Sequence, residues 1–274
     1  MRNRLGWPCG ALCLALALTA CDVKVGEKGV SVDFAVGKAT DEWTRTYDLS
    51  PGGRLEIVNV NGSIHASPST GTRVEVRATR EARAGSDEAS RERLQKTEMR
   101  EEVAPDRVAI EARTGQGDGG FGGPRVTIQW DVRIPPGLTV LLKTENGEVR
   151  MENLQGDVTA SATNGAVTGL GISGSMNAST VNGGIRLDLE SVTKDSTIVT
   201  VNGGIRLNVG PKVSAELEAV VVNGAVSIDD ALALSDATRT RQRVVGRIKT
   251  GGPRIVAQTT NGGVRVATSG EGGN

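Results

Sequence analysis

Beyond residue 21 this sequence contains no cysteine; its three are Cys9, Cys13 and Cys21. That excludes a disulfide framework and a thiolate metal site from nearly the whole chain. There is one histidine, His65, so a histidine triad or His-ligated metal would rest on a single side chain. An outward strand position is the simpler assignment for it. Aromatics are scarce as well: Trp7, Trp43, Trp130, Tyr47, Phe34 and Phe121. A core must therefore be filled by small and β-branched side chains in thin layers. An excess of charge is also missing, with 32 basic against 32 acidic residues. Removing Arg2 and Arg4 with the first residues leaves 30 against 32, a formal charge of −2, which is no footprint for nucleic acid. No apolar run reaches the about 20 residues a spanning helix needs.

What is present begins with an export signal. Arg2 and Arg4 supply positive charge, and Gly10 to Leu18 is a short apolar run. It ends in Leu18-Thr19-Ala20-Cys21, which resembles the lipobox of bacterial lipoproteins. That resemblance implies cleavage before Cys21 and acylation of its thiol, so that residues 1–20 are a signal peptide. The alternative is an ordinary secretory peptide cut at small residues. Multiple acyl chains, at roughly 0.8 kcal/mol per buried methylene, would hold the protein to a bilayer. Asp22 next to the cysteine resembles an inner-membrane retention signal.

The dominant feature is a set of seven Asn-Gly pairs: Asn61-Gly62, Asn146-Gly147, Asn164-Gly165, Asn182-Gly183, Asn202-Gly203, Asn223-Gly224 and Asn261-Gly262. From the second to the sixth the steps are 18, 18, 20 and 21 residues, and the last gap of 38 is two such steps. A fixed period of this size marks a repeat architecture whose stacked units share one core. The third residue after each Asn is always Val or Ile, from Ile64 and Val149 to Val264. The sixth and fourth residues before it are mostly aliphatic, and Thr144, Thr180, Thr200 and Thr259 stand two before it. Such alternation puts one set of side chains on one face of a strand. Each unit is thus a strand, an Asn-Gly turn and a second strand, the pair supplying left-handed backbone angles for a corner. A meander of hairpins and a parallel β-solenoid with an asparagine ladder both satisfy this pattern. Repetition of identical positions at one coil length favours the solenoid. The expected class is all-β, a β-solenoid of 18–21-residue units with one short helical insert.

The flanks set the domain boundaries. Residues 21–44 are expected to be the lipidated N-terminus and a linker, 45–268 one β-repeat domain, and 269–274 a disordered tail. Within the domain, residues 77–107 form a polar insert, with Ser86-Asp87-Glu88-Ala89 as a helix start between strands at Arg73–Val76 and Val108–Ala112. Gly115 to Gly123 is a flexible loop, Val126 to Ile134 alternates as a strand, and Asp229 to Arg243 is an inserted loop or helix.

Several stretches carry a family resemblance. They are Gly53-Arg54-Leu55-Glu56-Ile57-Val58-Asn59-Val60-Asn61-Gly62-Ser63-Ile64, Asp131 to Gly137, and the Thr-Val-Asn-Gly-Gly-Ile-Arg-Leu copies at 180–187 and 200–207. The run from Val245 to Gly262 resembles the family's closing coil. Together they resemble the bacterial domain of unknown function family 4097 (DUF4097), labelled putative adhesin, over residues 45 to 268. The resemblance implies a β-solenoid in the cell envelope or on the cell surface.

Catalytic and cofactor motifs are weak. Gly115-Gln116-Gly117-Asp118-Gly119-Gly120 has no Gly-Lys-Ser or Gly-Lys-Thr after it and occurs once, whereas calcium-binding solenoids repeat their motif. The carboxylates Glu148, Glu152, Asp157, Asp188, Glu190 and Asp195 follow no repeated slot, so nothing assigns an acid/base pair. The chain is expected to be no enzyme and to use no cofactor and no metal. One outward slot, four residues after the Asn, carries Arg150, Arg186, Arg206 and Arg265, with His65 first and Thr168 and Ser227 interrupting. Stacked guanidiniums suit a polyanion, while a solvated, charge-balanced sheet face is the plainer reading. The expected role is a non-catalytic, lipid-anchored envelope module facing the periplasm or exterior, for adhesion, scaffolding or polymer binding. Its partners would be the membrane through the lipid, an envelope glycan, lipid headgroups or another envelope protein. The alternatives are an envelope stress-response accessory that binds another protein and, less favoured, a polysaccharide lyase or hydrolase.

Overall fold

Alternating side chains build the core as two facing limbs. Before the corners, Leu55, Ile57, Val140, Leu142, Val158, Ala160, Met176, Ala178, Ile198, Leu217, Ala219, Ile255 and Ala257 are buried. After them, Ile64, Ala66, Val149, Met151, Val167, Ile185, Leu187, Ile205, Leu207, Val264 and Val266 face the first set and are also buried. Volume is matched across the thin space between limbs. Gly169 has no side chain where Leu187, Ile172 and Met151 converge, and a Cβ there would lie 2.9 Å from the Leu187 side chain. The computed structural model describes residues 21–26, 29–34, 37–113 and 125–269. They are mostly strand, with one short helix, in a large curled mixed sheet and a separate two-stranded hairpin (Cys21–Gly26 with Gly29–Phe34).

Parallel pairing carries the middle of the molecule. Strand Arg54–Asn61 pairs with Leu138–Asn146, which pairs with Gln155–Asn164, which pairs with the later half of Val167–Asn182. Ser196–Asn202, Arg254–Asn261 and Ala215–Asn223 follow in that spatial order. Asn aligns with Asn at every step. The limbs after the corners pair in parallel in the same order. The order in space departs from the order in sequence at the C-terminus. Strands Arg254–Asn261 and Val264–Thr268 slot between the unit at 196–209 and the unit at 215–228, so the last unit in sequence is an inner layer.

Both ends of the parallel run are closed by antiparallel strands. At one end, Glu98–Ala104 pairs with Arg107–Arg113, and Gly37–Tyr47, Val74–Ala84 and Arg125–Ile134 form a second antiparallel set. The helix Asp87–Gln95 packs on Gly37–Tyr47 and Val74–Ala84. Ser86 caps it by accepting from the Ala89 N–H, with Asp87 and Glu88 in its first turn. Trp43, Trp130 and Tyr47 gather at this end, the two indoles edge-to-face at 6.1 Å and the Tyr47 hydroxyl donating to Glu101. At the other end, Ala215–Asn223 pairs antiparallel with Arg243–Ile248, which pairs with Ser235–Arg239. Capping strands of this kind keep the stack from adding a further chain at its edges.

The flanks correct three expectations. Only residues 87–95 of the proposed 77–107 insert are helix, because Val74, Val76, Ala78, Ala82 and Ala84 alternate inward and extend that strand to Ala84. Strands also occupy much of the expected linker at 21–44. Asp229 to Arg243 holds a 3-10 turn, Asp230–Leu232, and the capping strand Ser235–Arg239. The proposed signal peptide, the glycine loop at 115–123 and the tail from 270 lie outside the described residues.

Candidate functional site: an arginine row on the outer sheet face

The corners fix where every outward side chain points, and their chemistry is specific. Each is held by an amide ladder running one way: Asn146 donates from Nδ2 to Asn61 Oδ1 (3.0 Å), Asn164 to Asn146 (2.9 Å), Asn182 to Asn164 (2.9 Å), Asn202 to Asn182 (2.9 Å), Asn261 to Asn202 (2.8 Å) and Asn223 to Asn261 (2.8 Å). Just inside, the buried hydroxyls of Thr144, Thr180, Thr200 and Thr259 donate to the carbonyls of Gly62, Gly165, Gly183 and Gly203, each one layer away. None of the seven asparagines has a left-handed φ; each ends a strand in extended backbone. Close approach explains why glycine follows at every corner, and at Gly62, Gly147, Gly224 and Gly262 a positive φ adds a second reason. A Cβ on Gly183 would sit 2.0 Å from the Gly165 carbonyl oxygen, and one on Gly203 would sit 1.9 Å from that of Gly183.

Beyond the corner, the outer face of the second limb bears the predicted arginines. Pairing aligns Asp131, His65, Arg150, Thr168, Arg186, Arg206, Arg265 and Ser227 in one row. Ser227 therefore ends the row instead of interrupting it, because the last unit is an inner layer. Arg186, Arg206 and Arg265 become consecutive neighbours, which spacing in the sequence concealed. Arg150 is set apart by Thr168, and its guanidinium is bound to Glu152 at 2.8 Å.

The surroundings of the two parts differ. His65 lies 3.5 Å from Asp131 and 3.8 Å from Glu152, and Glu148 accepts a hydrogen bond from Thr168. Around Arg186, Arg206 and Arg265, the slot two residues nearer the corner holds Gly184, Gly204 and Gly263, all exposed. The nearest acid on the following slot, Asp188, accepts from Asn208. Among the described residues, the guanidinium groups of these three arginines have no ion-pair or hydrogen-bond partner. They line an open groove of about 520 Å³ whose floor is Gly184, Gly204 and Gly263, flanked by Ala166 and Ala225. The three glycines and their two alanine flanks were the part of this site that sequence reasoning missed; the second Gly of each Asn-Gly-Gly run was the available signal.

Carboxylates elsewhere serve strand-to-strand clasps. Glu218 is gripped by Arg243 and Arg254, whose hydrogen bonds hold its carboxyl below its ordinary value of 4.5. Arg107 and Arg54 depress Glu56 in the same way, and Lys194 with Ser175 depresses Asp157. Among the described residues no cluster of three or more His, Cys, Asp or Glu is arranged to hold a metal, and no helix is long and apolar enough to cross a membrane.

Comparison with known proteins agrees on the fold. The family model described as Toastrack DUF4097 matches residues 137–267. The chain is similar to the crystal structure of a putative cell adhesion protein from Clostridium sporogenes, at a TM-score of 0.52 and 12% identity, covering 84% of this chain and 100% of that one. At that identity the likeness concerns the fold alone. Weaker likenesses are to a putative adhesin from Bacteroides fragilis (TM-score 0.27, 11% identity, 83% and 97% coverage) and a putative lipid binding protein from Parabacteroides distasonis (0.30, 11%, 84% and 97%). No curated protein matches the chain.

Proposed function

We propose that this chain is a non-catalytic cell-envelope module, anchored through an acylated Cys21, that binds polyanions along the outside of a β-solenoid of 18–21-residue units. The observation that carries the reading is the run Arg186–Arg206–Arg265. It is three guanidiniums on adjacent strands, with no carboxylate engaged, above an open floor. An unpaired row of like charges costs self-repulsion, which a bound anion relieves. The depressed carboxylates at Glu56, Asp157 and Glu218 are each spent on holding strands together, which supports a role without acid/base chemistry. The fold neighbour from Clostridium sporogenes is described as a putative cell adhesion protein, and adhesion fits a surface that works by its outer face.

The experiment has two parts. Fractionation of cells that express the wild type and Cys21→Ala tests the anchor; release of the variant from the membrane fraction is expected, and identical distribution contradicts it. Retention on immobilised envelope polymers tests the face. Substituting Arg186, Arg206 and Arg265 together by Ala should abolish retention, and equal retention by that variant would remove the reading.

A further inference from the structure

The glycines beneath the arginine row are not imposed by a backbone clash of the kind that fixes the corner glycines. A Cβ on Gly184 would lie 3.4 Å from the Gly204 oxygen, one on Gly204 would lie 3.4 Å from the Gly263 oxygen, and one on Gly263 would lie 3.3 Å from the Ala225 oxygen. None of the three has a left-handed φ. The same slot carries Ser63, Glu148, Ala166 and Ala225 in the other units, so the backbone there accepts side chains. Glycine inside a strand costs roughly 0.5–1 kcal/mol against alanine and often marks close approach of a ligand. Three of them stand immediately before the three strands whose arginines lack partners, and before no others of the stack.

We infer that this groove takes a carboxylate-bearing polysaccharide, laid along the stack with one sugar per strand, an inference that rests on the polyanion-binding reading. Neighbouring strands lie about 4.8 Å apart, close to the advance per ring of an extended pyranose chain. A guanidinium fork pairs in plane with a carboxylate. The bare glycine floor lets the flat, C–H-rich face of a ring reach the backbone, where a Cβ would hold it off. Phosphate polymers offer the charge without such a face, and a lipid surface is too broad to enter a groove. A uronate chain uses both the arginines and the glycines, which neither of those two does.

Calorimetric titration of the full chain with polygalacturonate oligomers of increasing length tests this. Affinity should climb with each added sugar until the three guanidiniums are engaged, then level off. Arg206→Ala should weaken binding about tenfold, the loss of one charge-assisted hydrogen-bonded pair. Gly204→Ala and Gly204→Val should weaken it progressively with every arginine intact, while Arg150→Ala keeps the wild-type affinity. Methyl-esterified oligomers, with the same rings and no charge, should not bind. Polyphosphate bound as tightly as uronate and indifferent to Gly204→Val would show that charge alone is read. Preference for phosphatidylglycerol vesicles would assign the face to lipid. Either result removes the uronate inference and leaves polyanion binding standing. No binding to any of these anions, or binding unchanged when all three arginines are alanine, removes both.

Discussion

One sheet face, built from the same slots, carries two opposite electrostatic solutions. Toward the helix-capped end, Arg150 is held by Glu152, His65 sits between Asp131 and Glu152, and Glu148 is tied to Thr168. Toward the other end, Arg186, Arg206 and Arg265 stand over glycine with no acid engaged. The backbone is the same in both, since parallel pairing repeats it layer by layer. The difference teaches that register distributes positions, whereas the neighbours in adjacent slots decide whether an arginine covers the sheet or awaits a ligand.

Corner glycines offer the strongest test that the two halves share one backbone. Gly147→Ala in the charge-paired half and Gly183→Ala in the bare half each force a Cβ to about 2 Å from a carbonyl oxygen (2.2 and 2.0 Å). Each should cost about 3 kcal/mol, a fall in Tm of about 6–12 °C by scanning calorimetry. The next residue gives the contrast: Gly184→Ala should leave Tm unchanged or raise it by about 2 °C. A large loss at Gly184 would mean that the groove floor is structural and would break the comparison.

The amide ladder runs through both halves and should be equally valuable in each. Asn164→Ala and Asn202→Ala remove two side-chain hydrogen bonds apiece and should each cost about 1 kcal/mol. Asn164→Asp or Asn202→Asp sets a carboxylate oxygen against the amide oxygen of Asn146 or Asn182, so it should be worse than Ala at neutral pH. Chemical denaturation measures both, and unequal losses would show that the stack is not uniform.

Charge can be moved from one half to the other. Glu152→Gln frees Arg150 from its closest acid and should raise affinity for an acidic polymer about threefold, mainly through faster association at low salt. No change would mean that Arg150 lies too far from the bare row, beyond Thr168, to contribute.

The smallest expected effect concerns the far cap and depends on pH. Arg243 and Arg254 depress the Glu218 carboxyl when folded, so its contribution is complete above the ordinary value of 4.5 and is lost as pH falls through the lowered folded value. Tm should drop on acidification through that window in the wild type and drop less in Glu218→Gln. Parallel curves would remove the clasp from the account of the cap.

Much of this architecture was legible because its determinants are local. Alternating Val, Ile and Leu around each Asn-Gly gave the limbs, and Ser86-Asp87-Glu88 gave the helix start. Other features were hidden for physical reasons. Parallel layers have interchangeable registers, so nothing in the 38-residue gap before Asn261 told which layer the last unit would enter. The adjacency of Arg206 and Arg265 followed from that choice and was hidden with it. Strand Val74–Ala84 was obscured by its outward Arg77, Glu81 and Arg83, although its inward alanines kept the period. Gly183 and Gly184 read alike in sequence, and only the carbonyl of the neighbouring layer separates the one the fold requires from the one it does not.

The most direct test of the central claim is a two-dimensional NMR titration of the protein with a polygalacturonate oligomer, following backbone amides and arginine Nε–H signals. The account predicts that shifts concentrate on Gly184, Gly204 and Gly263 and on the side chains of Arg186, Arg206 and Arg265, with Arg150 and both caps silent. Shifts centred on Arg150 or on either cap, or spread evenly over the charged surface, would contradict it.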